Sequence, residues 1–143
     1  MKQIGIILTA VLCLSFLCGC SLTGNLTDRE SVLKFYEKHR DTLAEAVESG
    51  DYGKAERLRN VHEVSVWEDS VEFSCGGSGF GPSTHYYGIF YSPTDDLTAI
   101  WCAGPAEELT EQGDGYFYKE RGGDNRYYVE PLDDHFYYYE AHF

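Results

Sequence analysis

Ser83 and His85 stand two residues apart, just behind the glycine-rich stretch Cys75-Gly-Gly-Ser-Gly-Phe-Gly-Pro82. In a β-strand that spacing sends a hydroxyl and an imidazole to the same face, which is how a nucleophile and its base begin. A hydrolase needs more: a third group to orient the base, a pocket and a pair of oxyanion donors. Asp95 and Asp134 could supply the carboxylate, but nothing in the sequence sets either beside His85. The glycines are not a phosphate cradle either. They lack the lysine and the following helix of a P-loop, and an aromatic run, Ser83-Thr-His-Tyr-Tyr-Gly-Ile-Phe-Tyr91, comes next. The stretch from 76 to 82 is therefore expected to be a connecting loop between two strands. If it protrudes, Gly77, Gly79, Phe80 and Gly81 form an interaction loop.

Other reactive side chains point to packing before chemistry. Asp95-Asp96 and Asp133-Asp134-His135 are turn sequences, where Asp bonds its own backbone. No Cys/His spacing suggests zinc and no calcium-loop pattern is present, so no metal and no cofactor is expected. Cys75 and Cys102 are disulfide candidates. If the strand 86–92 lies between theirs, they stand about 9–10 Å apart, twice the strand spacing. A bridge needs Cα atoms within about 7 Å, so two buried thiols are expected, with a disulfide as the alternative. Tyr116, Tyr118, Tyr127, Tyr137 and Tyr139 recur on successive strands. Left uncovered, their rings would stack on sugars or grip a partner; covered by long loops, they are core.

The elements that must position these groups are an N-terminal helix and a sheet. Thr27-Asp28-Arg29-Glu30 has the form of a capping box. Val32, Tyr36, His39, Leu43 and Val47 then make one apolar stripe, and Gly50 stops the helix. Asp51 caps a second, shorter helix to about Arg59. From Val61 the period becomes two. Strands are expected at 62–67, 70–75, 86–92, 97–102, 115–121, 125–129 and 135–141. The turn at 93–96 makes 86–92 and 97–102 a hairpin in which Trp101 covers Gly88. The expected fold is α+β, with the helices packed on an antiparallel meander of about six strands.

The first twenty residues carry an address. Lys2 heads an uninterrupted apolar run from Ile4 to Leu17, too short for a good membrane span. It ends in Leu17-Cys18-Gly19-Cys20, which resembles the lipobox of bacterial lipoprotein precursors. The resemblance implies that residues 1–19 are a signal peptide and that Cys20 carries the lipid. It also implies that the protein sits on the extracytoplasmic face of a cell membrane or outer membrane. Residues 20–26 would then be a short linker before one domain at 27–143.

From Cys20 onward ten basic residues face 24 acidic ones, and from Val61 to Tyr118 there is no Lys or Arg at all. Such a chain repels nucleic acid and anionic headgroups alike, so the lipid must hold it on the membrane. A cation or a basic protein is the electrostatically favoured partner, with a glycan the alternative for an uncovered aromatic face. Three functions follow in order. The first is a non-enzymatic envelope lipoprotein that binds a protein, peptide or glycan. The second is a small acidic inhibitor or protective protein against a secreted enzyme. The third is a cell-wall hydrolase.

Overall fold

The computed structural model describes residues 24–68 and 70–143. Leu17, Cys18, Gly19 and Cys20 lie outside them. The first element is helix α1, Arg29–Ser49. Its N-cap is Asp28, one residue later than the capping box implied: the carboxylate accepts from the Ser31 amide at 2.9 Å and the Ser31 hydroxyl at 2.7 Å. A carboxylate at this position satisfies an orphan amide and faces the positive end of the helix. Those bonds hold the Asp28 carboxyl below its ordinary pKa. Gly50, at φ 70°, closes the helix by donating to Ala46.

No second helix follows. Residues 51–60 form consecutive turns, with Asp51 Oδ1 accepting from the Gly53 amide at 3.0 Å and Glu56 donating to Tyr52. Nine residues with a glycine at the third are too few to offset helix nucleation. Ala55 and Leu58 instead pack into the core from these turns.

Seven strands make one antiparallel sheet: β1 (Glu63–Trp67), β2 (Ser70–Phe80), β3 (Ser83–Tyr91), β4 (Thr110–Gln112), β5 (Gly115–Lys119), β6 (Arg126–Asp133) and β7 (Phe136–His142). Their order is β1-β2-β3-β7-β6-β5-β4, so the chain's last strand lies at the centre and the sheet is no simple meander. Three expectations are corrected by this topology. The count is seven rather than about six, with Thr110–Gln112, which pairs with β5, standing in place of 97–102. Residues 97–102 are not a strand; β7 takes the edge of β3 instead, in register Ile89↔Tyr138 and Phe90↔Tyr137. Asp96 Oδ1 accepts from the amide and hydroxyl of Thr98, both at 2.8 Å, and this Asx turn draws the chain away from the ladder. The glycine stretch is strand as far as Phe80, with a two-residue turn at Gly81-Pro82.

Two cores result. Helix α1 covers one face, over Phe73, Cys75, Ile89 and Tyr138, all fully buried. The segment from Leu97 to Leu109 covers the other, over Phe90, Tyr127, Val129 and Tyr139. Among the described residues no helix is long and apolar enough to cross a membrane.

Candidate functional site

Tyr127, Tyr137 and Tyr139 are 1%, 6% and 1% exposed, so the expected aromatic binding face is core. The Leu97–Leu109 segment lies on it, and Tyr116 and Tyr118 pack half-buried at its margin. Tyr127 donates to the Leu97 carbonyl at 3.0 Å, which ties the cover to the sheet. One carboxylate is enclosed here. Glu72 is 5% exposed and accepts from the neutral Tyr139 hydroxyl. Burial raises its pKa above the ordinary carboxylate value.

Cys75 and Cys102 are unbridged. Cys75 lies under α1 and Cys102 against the opposite face, so the sheet itself separates them. Burial pushes the Cys75 thiol up to about 12, which leaves it a small apolar filler.

Gly88 does carry an aromatic ring, but the ring belongs to Tyr139, its register partner on β7, and not to Trp101. A Cβ at Gly88 would stand 2.7 Å from Tyr139 Cε1 and 2.6 Å from the Phe73 carbonyl oxygen. Trp101, 58% exposed, stacks instead on Phe143 with centroids 5.5 Å apart, and Tyr86 meets both rings edge-on.

Antiparallel pairing sorts the turns to two ends of the sheet. At one end lie the β1–β2, β4–β5 and β6–β7 turns and the exit from β3. They carry Glu68, Asp95, Asp96, Asp114, Asp133 and Asp134, and among the described residues of these turns none is Lys or Arg. Asp95 accepts from the Tyr137 hydroxyl at 2.6 Å and pairs with His135 Nδ1 at 2.9 Å, which hold its carboxyl below the ordinary range. Beside this end a cleft of about 470 Å³ opens between α1 and the β6–β7 turn, lined by Tyr36, Arg40, Asp133, Asp134 and His135.

The other end carries the β2–β3 hairpin. Phe80 at its tip is 94% exposed. Gly79 and Gly81 hold φ of 100° and 59°, and Thr84 Oγ1 closes the turn on the Gly81 carbonyl at 2.7 Å. From Phe73 to Thr94 the chain has no Asp, Glu, Lys or Arg. Asn25 is clipped to this hairpin: its side chain donates to the Gly77 carbonyl at 2.7 Å and accepts from the Gly77 amide at 2.9 Å. Leu26 adds a backbone bond to Cys75 at 3.0 Å. These two residues occupy the β2 edge beyond the start of β1, a contact that sequence reasoning missed because Asn25 lay in an apparent linker. Gly76 is its trace, since a Cβ there would strike Asn25 Oδ1.

Ser83 and His85 sit at the hairpin end, whereas Asp95 and Asp134 lie at the acidic end. Strand β3 separates the two by roughly 25 Å, at about 3.3 Å per residue, so no triad assembles from these groups. His85 faces His142, ring centroids 4.3 Å apart with the two Nδ1 atoms in contact. Glu140 approaches His142 Nε2 at 3.5 Å. Burial sets the His142 pKa below its ordinary value, outweighing Glu140, which raises it. Among the described residues no cluster of three His, Cys, Asp or Glu is placed to hold a metal ion.

No protein-family model, curated protein or solved structure matches the chain.

Proposed function

We propose that the protein is a lipid-anchored, non-enzymatic lipoprotein of the bacterial envelope, whose acidic end binds a basic protein. The observation that carries this reading is the segregation of charge along the sheet. Six described turn carboxylates gather at one end without a basic turn residue, while the chain toward Cys20 leaves from the other. A domain tethered at its hairpin end holds its anionic end toward whatever arrives from solution, and such a field recruits cations over about a Debye length, ~8–10 Å at physiological salt. The cleft beside Asp133 and Asp134 gives a basic side chain a seat of about 470 Å³. The test is calorimetric titration of the purified full chain with oligolysine at low and high salt, for the wild type and for Asp133→Asn/Asp134→Asn. Binding that weakens with salt and with the double substitution supports the reading; binding indifferent to both removes it.

A second reading is favoured by one specific feature. The β2–β3 hairpin, with Phe80 at its tip, has the shape of an element that enters an enzyme's cleft. As an inhibitor, the protein would lose inhibition on Phe80→Ser and keep its fold.

A further inference from the structure

We propose that the hairpin end of the sheet is seated on the lipid bilayer, with Phe80 inserted at the headgroup–acyl boundary. The proposal rests on the lipid-anchor reading of Cys20 and adds which surface faces the membrane.

The chain's own geometry makes the first argument. Asn25 and Leu26 are fixed to β2 at Gly77 and Cys75, and Gly24 accepts from the Asn60 amide. Only Ser21, Leu22 and Thr23 separate Gly24 from Cys20, so the lipidated residue lies within roughly 13–14 Å of Gly24, at about 3.3–3.6 Å per residue. Phe80 is three residues beyond Gly77 on the same strand, roughly 10 Å at about 3.3 Å per residue. The lipidated residue is therefore tethered to the same end of the molecule as the hairpin tip.

Charge makes the second argument, independently. A chain with 24 acidic and 11 basic residues is repelled by anionic headgroups over most of its surface. The β2–β3 hairpin, within the stretch from Phe73 to Thr94 that is free of Asp, Glu, Lys and Arg, brings no like charge to such a surface. The β5–β6 connection at the same end carries Lys119, Arg121 and Arg126 beside Glu120 and Asp124. The third argument is the side chain. An aromatic ring 94% exposed at the tip of a glycine hairpin is unfavourable in water and favourable at a membrane interface. Gly79 and Gly81 keep the turn narrow, with open space around Gly81. Behind the tip, Tyr86, Trp101 and Phe143 extend the uncharged aromatic surface.

The experiment uses the full chain, processed in a bacterial host and reconstituted in vesicles of phosphatidylethanolamine and phosphatidylglycerol. Phe80→Trp adds one indole at the tip, read against the wild-type background of Trp67 and Trp101. Because Phe80 is exposed, the variant's melting curve should match the wild type. In vesicles of brominated lipid the emission added by F80W should be largely quenched, and in ordinary vesicles it should shift to the blue. Emission that remains unquenched and unshifted, in protein that carries the lipid and floats with the vesicles, overturns the proposal and leaves the tip free for a soluble partner. Protein with no lipid label that does not float overturns the anchor reading, and the proposal with it.

Discussion

Glu72 shows how one residue can be pinned by its surroundings and still tax them. Its folded pKa is raised by burial, so protonation favours the folded state. The sign then follows: its contribution to stability is fully present below the unfolded value near 4.5 and is lost as pH rises through the raised folded value. Glu72→Gln should therefore flatten the fall in wild-type stability between mildly acidic and neutral pH, as read by denaturant melts across that range. Gly88 offers a second residue-scale test. Gly88→Ala drives a Cβ against Tyr139 and the Phe73 carbonyl, and overpacking of this kind costs about 1–3 kcal/mol in a melt. That a ring must cover Gly88 was legible in the sequence. Which ring was not, because Trp101 and Tyr139 have the same chemistry and only the register between β3 and β7 chooses. The tyrosines were legible as alternating in the same limited sense. Their burial depends on the 97–109 cover, whose Leu, Ile and Cys also suit a strand.

Among the elements, α1 and its Gly50 stop follow from apolar spacing, while the Asp28 cap was masked by Thr27 one residue earlier. Asp28→Ala should cost about 0.5–2 kcal/mol, the usual loss for an N-cap oxygen. The β2–β3 hairpin was misread because four glycines in seven residues look like a loop. Here Gly76, Gly77 and Gly79 are strand residues that accept close approach: a Cβ at Gly77 would stand 2.6 Å from the His85 carbonyl oxygen. Insertions separate the two cases. Two Gly/Ser residues between Gly81 and Pro82 should leave stability within about 0.5 kcal/mol, as at other exposed sites. A single residue added between Gly77 and Ser78 should cost more, because it flips the parity of the tip and sets Ser78 against the wrong partner. Parallel melts of the two variants decide it, and equal tolerance would contradict the ladder.

At the scale of the whole molecule, the acidity was plain in the sequence, but the sorting of acid to one end was not, since it depends on strand order. The proposed lipid anchor is testable in cells: Cys20→Ser should abolish lipid labelling and release the protein or leave it uncleaved. Persistent labelling at another residue would sink the assignment. The strand order also has a consequence in time. The central position of the sheet belongs to β7, which pairs with β3 on one side and β6 on the other. Until residues 136–142 have been made, the chain holds two unjoined half-sheets, β1-β2-β3 and β6-β5-β4, each with an open edge. At synthesis rates of about 5–20 residues per second, the stretch from Tyr91 to His142 takes roughly 3–10 seconds, during which β1-β2-β3 waits for its partner strand. Because β7 is the shared partner of both half-sheets, closure of the sheet waits on residues 136–142, and both inner edges stay open until that strand arrives.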